Sequence, residues 1–164
     1  MYSSKAIANF FLDKAKNAGE PLTQMKLHKL IYYAHGWFLG LTNEPLIDEE
    51  LEAWQYGPFV PSLRGEFRDS GANPITRPAV DFDLFTEDII VPTVKPDDSK
   101  SISILDQVWK VYGGMTAAKL SSMTHEQGSP WSQVWKDGYR GIGIPNSMIL
   151  NYFKHKATLN AGKF

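Results

Sequence analysis

Thr23-Gln24-Met25-Lys26-Leu27-His28-Lys29-Leu30-Ile31-Tyr32-Tyr33-Ala34-His35-Gly36-Trp37-Phe38-Leu39-Gly40-Leu41 is the stretch that decides the fold. Thr23 offers a hydroxyl to the orphan N–H groups of a first helical turn. From there to Leu41 the chain reads as one helix, roughly 28 Å long at 1.5 Å per residue. At about 100° per residue, Leu27, Leu30, Ile31, Ala34, Phe38 and Leu41 share one sector and make a core face. Gln24, His28, Tyr32, His35 and Leu39 form a second sector, and Lys26, Lys29, Tyr33 and Trp37 a third. A helix with aromatic side chains on so many sides is expected at the centre of the protein, with few residues facing water.

Outward from this helix the signals stay mainly helical. Upstream, Ser3 or Ser4 can cap a helix carrying Ile7, Phe10, Phe11, Lys14 and Ala18, stopped by Gly19 and Pro21. Downstream, Leu51 to Tyr56 alternates as a short strand would, Gly57-Pro58 forces a turn, and Pro61 can open a helix with Leu63 and Phe67 inward. Residues 70–100 hold Pro74, Pro78, Pro92 and Pro96 and are read as an irregular excursion with a short β-hairpin, Asp88-Ile89-Ile90-Val91 supplying one strand. Helical stripes resume at Ile104, Leu105, Val108, Trp109 and Tyr112. They continue from a cap at Thr116 through Leu120 and Met123, from Ser129-Pro130 through Trp135, and from Pro145-Asn146 through Phe153. The expected fold is mainly α, a single helical domain spanning 1–164.

Composition narrows the function classes. At 164 residues and 43 % apolar content the chain supports a self-sufficient core, with about 70 % of the unfolded surface buried on folding. There is no cysteine, which removes disulfides, thiolate metal sites and a cysteine nucleophile together. The N-terminal residues lack the pattern of a secretory signal, and no run is long enough for a membrane span, so the cytoplasm is expected. The net charge of −1 leaves no overall footprint for nucleic acid, and no direct nucleic-acid binding is expected. The charge is nonetheless uneven: residues 41–110 are acidic between basic ends, which fits either an acidic binding face or a solvated surface.

Catalytic and metal motifs are sparse. His28 and His35 lie on one helix face, but seven residues separate their Cα atoms by about 10.5 Å along the axis. Direct zinc ligands sit about 2.0–2.1 Å from the metal, so this spacing does not suit one ion, and no H-E-x-x-H occurs. Neither G-x-S-x-G nor a phosphate loop is present; Gly141-Ile142-Gly143-Ile144-Pro145 has too few glycines and a proline where a helix N–H would serve. Gly113-Gly114 between two helical stripes suggests a helix-turn-helix, yet Lys119 is the lone cation on the second helix, and an ordinary helical hairpin fits better. Pro58-Phe59-Val60-Pro61 matches P-x-x-P in surroundings apolar enough for a structured turn. No metal or cofactor is expected.

Three ordered blocks resemble the Panacea antitoxin domain family, whose members are also called SocA-like or GepA-like. Met25 to Trp37 is similar to the family's K-L-x-K-L-x-Y-Y-A-x-G-W helix. Pro45-Leu46 followed by Glu52-Ala53-Trp54-Gln55-Tyr56-Gly57-Pro58-Phe59-Val60-Pro61-Ser62-Leu63 is similar to its E-A-W-x-Y-G-P-V-x-P-x-L segment, with Phe59 in place of the commoner valine. Leu120-Ser121, Thr124-His125 and Ser129-Pro130-Trp131 resemble its third block. The resemblance runs from about residue 23 to 153. It implies a compact helical fold and an antitoxin, of bacterial or phage origin, that neutralises a cognate toxin by direct contact. Some members act instead as adaptors delivering the toxin to a cellular protease. No catalytic residue or cofactor is implied; the reading from another class is a hydrolase using His125 with a nearby acid.

Lys26, Lys29, Tyr33, Trp37, Trp54, Tyr56, Gly57 and Pro58 are the expected partner-binding residues. They come from two separate blocks, and periodicity leaves them off the main core face. Aromatic anchors beside cations are common at interface hot spots. The competing account packs Trp37 and Trp54 together as a second core and leaves the lysines as solvated edges.

Overall fold

The computed structural model describes residues 1–160. Its helices are α1 (Ser4–Ala18), α2 (Gln24–Thr42), α3 (Pro61–Glu66), α4 (Ser99–Tyr112), α5 (Ala117–Thr124), α6 (Pro130–Val134) and α7 (Asn146–Leu159). The strands are β1 (Leu51–Trp54), β2 (Gly57–Phe59), β3 (Asp81–Phe82), β4 (Ile89–Ile90) and β5 (Ile142–Ile144). The fold is mainly α, as expected. Among the described residues no helix is long and apolar enough to cross a membrane.

α2 is the axis. The hydroxyl of Thr23 accepts from the Lys26 N–H, and Asn43 ends the helix in the left-handed region at φ 60°. Every residue from Lys26 to Gly40 is buried, because α1, α4, α5, α7 and β2 all pack around it. Leu27, Leu30, Ile31, Ala34 and Phe38 are in the core as expected, whereas Leu41 is 44 % exposed. It lies in the last turn of α2.

Two glycines allow α7 to run close beside α2. A Cβ on Gly40 would stand 2.8 Å from the Phe153 carbonyl carbon and 2.9 Å from the Lys154 nitrogen. A Cβ on Gly36 would enter the Phe153 ring. Phe153 is fully buried and meets Tyr32, Tyr33 and Trp37 edge-on.

A three-stranded antiparallel sheet, ordered β2-β1-β5, covers one side of the helices. Its third strand corrects the sequence reading: Ile142-Gly143-Ile144, weighed only as a phosphate loop, pairs with Leu51-Glu52-Ala53. The expected hairpin in 70–100 is β3–β4, with Asp81 opposite Ile90 and Phe82 opposite Ile89. The Asp83 side chain accepts from the Phe85 and Thr86 N–H groups and organises its tip. The second helix of the helix-turn-helix candidate faces inward, burying Leu120, Ser121 and Thr124. Of the P-x-x-P segment, Pro58 lies in β2 and Pro61 opens α3.

Candidate functional site

The turn between β1 and β2 is where the three blocks meet. Its alternate carbonyls are each taken by a side chain from a different helix. The Trp54 carbonyl accepts from the Trp131 indole N–H at 2.7 Å, and the Tyr56 carbonyl from the Ser121 hydroxyl at 2.7 Å. The Pro58 carbonyl accepts from the Lys29 ammonium at 2.9 Å. Gly57 sits inside this ring with φ +106°, a conformation open to glycine and strained for other residues. A Cβ there would meet the Thr124 hydroxyl at 2.5 Å and Lys29 Cε at 2.9 Å.

Beside this turn lies a cavity of about 790 Å³. The first turns of α2 contribute Gln24, Met25, His28 and Lys29; the β1–β2 turn contributes Trp54, Gln55, Tyr56, Gly57 and Phe59. Arg64 of α3 and the segment Trp135, Asp137, Gly138, Tyr139 and Arg140 close the other sides. Aromatic stacking sets its walls. Phe59 lies 4.0 Å from the His28 ring and 4.8 Å from Trp54, and the Arg64 guanidinium stands 4.9 Å over Trp54. On the far wall Trp135 stacks on Trp131 at 4.9 Å, and Trp131 on His125 at 3.8 Å. The Trp54 indole N–H donates to Glu52 at 2.7 Å, which fixes its ring.

The electrostatics of the cavity are cationic. Lys29, Arg64 and Arg140 line it against Asp137, and among the described residues none of the three cations has an ion-pair partner. Lys29 is 3 % exposed. Burial disfavours its charged form and lowers its pKa to about 7.

The structure therefore divides the sequence candidates. Lys29, Trp54, Tyr56 and Gly57 line the cavity, and Pro58 holds Lys29 in place. Lys26, Tyr33 and Trp37 are buried elsewhere along α2. The Lys26 ammonium donates to the Gly113 carbonyl and lies 6.0 Å from the Trp109 ring. Tyr33 stacks on Tyr112 at 4.3 Å, and the Trp37 indole donates to the Tyr112 hydroxyl at 2.9 Å. The competing account is corrected as well. Trp37 belongs to the Phe153 cluster and Trp54 to the cavity wall, and both lysines are buried rather than solvated.

The histidines on the second sector of α2 hold main chain. His28 Nδ1 accepts from the Val60 N–H at 3.2 Å. His35 Nδ1 accepts from the Ile47 N–H at 3.4 Å, while its Nε2 bonds the Asn146 side chain at 2.8 Å. Both roles require neutral rings, and burial supplies them, lowering the pKa of His28 to about 3 and of His35 to about 4. Among the described residues no cluster of three or more His, Asp or Glu could hold a metal ion. His125, the residue of the hydrolase reading, has its Nε2 buried with no hydrogen-bond partner. The acidic run after residue 47 has a structural member: the Glu49 carboxylate accepts from the Ser62 N–H at 3.1 Å and so caps α3.

Sequence reasoning missed Arg64, Trp135, Tyr139 and Arg140 as lining residues. The helical stripe from Ser129-Pro130 predicts Trp135 inside the helix, but Trp135 ends α6 in an extended conformation at ψ 136°. Arg140 and Tyr139 sit in an aperiodic loop, where the one available signal was a basic and aromatic pair beside two glycines.

A profile for the family described as "Antitoxin SocA-like, Panacea domain" matches residues 27–132. The chain is similar to the curated protein "Antitoxin SocA" of Caulobacter vibrioides (strain NA1000 / CB15N), 32% identical over 141 residues, which cover 86% of this chain and 74% of that protein. No solved structure matches.

Proposed function

The chain belongs to the family of SocA-like antitoxins with a Panacea domain, and we propose that it neutralises a cognate toxin by binding it directly. The cavity beside the β1–β2 turn carries this reading: an aromatic, cationic recess with Tyr56 62 % and Tyr139 65 % exposed at its rim. Such amphipathic aromatic side chains give large contact area at small entropic cost. The rigid turn beneath them, pinned by three side-chain hydrogen bonds, keeps the recess preorganised, which lowers the cost of association.

The test is co-expression with the product of the neighbouring gene, first checked for toxicity on its own, combined with a pull-down. The parent is expected to rescue growth and to retain the toxin on a column. Tyr56→Arg together with Tyr139→Arg, both on the exposed rim, is expected to lose both while keeping its thermal midpoint. A folded double variant that still rescues and still retains the toxin would remove this surface from the reading. Toxin half-life separates blocking from delivery: a half-life shortened by the antitoxin would favour an adaptor serving a cellular protease.

A further inference from the structure

Lys29 is an anomaly of the cavity. It is buried, it lines a recess, and among the described residues its side-chain hydrogen bond is to a neutral carbonyl. Taking an ammonium out of water without an anion costs several kcal/mol, and proteins commonly offset that with a carboxylate. Gly57 has no Cβ; one would stand 2.5 Å from the Thr124 hydroxyl and 3.3 Å from Lys29 Nζ, so the turn packs closely on both. Arg64 and Arg140, both exposed and neither ion-paired among the described residues, add positive charge around the same recess.

Resting on the direct-binding reading, we propose that this cavity receives a carboxylate side chain of the toxin, carried on a segment with an apolar neighbour. Lys29 and Arg140 take the carboxylate, and the wall of Trp54 and Tyr56 takes the apolar side chain. A phosphate-bearing ligand fits less well. Asp137 lies in the lining and repels a polyanion, whereas it can accept from a peptide N–H. The competing structural account is a staple. Lys26 reaches the Gly113 carbonyl in the same manner, and Lys29 could merely tie α2 to β2. The two accounts differ in what a neutral side chain does. A mere staple loses stability on substitution and leaves the affinity of the folded protein unchanged; a recognition group loses affinity.

The experiment measures binding of the toxin identified by that co-expression test to the parent, Lys29→Met and Arg140→Gln by calorimetry, each protein first checked by thermal unfolding. Lys29→Met, which deprives the buried Pro58 carbonyl of its donor, is expected to melt below the parent while staying folded, and to bind at least 10-fold more weakly. Arg140→Gln, on the exposed rim, is expected to lose about 5-fold. One Asp→Asn or Glu→Gln change on the toxin should weaken the parent and leave Lys29→Met nearly unaffected. If Lys29→Met does not fold, the toxin series is read on the parent against Arg140→Gln: one neutralised toxin carboxylate should weaken the parent and weaken Arg140→Gln less, and parental affinity throughout overturns the proposal. Parental affinity in both variants overturns the carboxylate proposal and leaves direct binding standing; a parent that binds no toxin overturns both. Displacement of the toxin by micromolar ATP or inorganic phosphate would assign the cavity to phosphate and overturn the proposal. So would self-association of the parent that Lys29→Met abolishes while toxin binding is unchanged, because a second copy would then be the occupant.

Discussion

Replacing Gly40 by alanine should destabilise this protein, although the general effect of that change inside a helix is the opposite. Alanine is favoured over glycine in a helix interior by about 0.8–1.0 kcal/mol. At Gly40 the added Cβ would stand 2.8 Å from the Phe153 carbonyl carbon and 2.9 Å from the Lys154 nitrogen. Ordinary carbon contacts are about 3.5–4.0 Å, so α7 must withdraw by roughly 1 Å. The atoms in the way are main chain and cannot rotate aside, which puts the overpacking cost near the top of its usual range, about 3 kcal/mol. Subtracting the propensity gain leaves a net loss of about 2 kcal/mol. For a chain of this size that is a fall of about 4–8 °C in thermal midpoint. Gly65 in α3 is the internal control: a Cβ there meets nothing within 4 Å. Gly65→Ala should therefore stabilise by up to about 1 kcal/mol. The assay is calorimetric or circular-dichroism melting of both variants beside the parent. A Gly40→Ala protein that melts at or above the parent would refute the close approach of α2 and α7.

Acid should destabilise the protein as pH falls from about 6.5 to about 4. His28 and His35 have folded pKa values of about 3 and about 4, below the ordinary 6.5, so the unfolded chain takes up protons first and stability falls with pH. Each group costs about 1.4 kcal/mol per pH unit, or about 5 kcal/mol for the pair from pH 6.5 to 4.5. Urea midpoints across that range check this, and His35→Gln should flatten the slope. Trp131→Phe leaves the Trp54 carbonyl without its 2.7 Å donor and should cost about 1–3 kcal/mol; amide exchange at Gln55 to Gly57 should quicken with it, and unchanged protection would count against the pinned turn. Phe85, 99 % exposed at the hairpin tip, should accept serine within about 0.5 kcal/mol, and a larger loss in chemical denaturation would mean that the hairpin packs on the body of the protein.

The helical frame was legible because apolar periodicity is a local signal, and in α2 it extends around the whole cylinder. Three populated sectors said that the helix is central, and burial from Lys26 to Gly40 follows from that. The same fullness hid which sector faces a neighbour and which a cavity. Lys26 and Lys29 are three residues apart and share a face, yet one ends on the Gly113 carbonyl and the other beside a recess. What separates them is Gly57, 28 positions further along, and Arg140, beyond 100 positions. Neither can be placed by periodicity, because strand pairing across β2-β1-β5 brings them to α2. Trp37 and Trp54 show the same limit from the other side. Both are tryptophans in family-like blocks, but a partner for one indole N–H comes from α4 and for the other from its own strand. The chemistry of a buried lysine depends on what stands opposite it. For Lys29 the described residues supply one carbonyl and a recess, and the proposed carboxylate of the toxin would stand opposite it there.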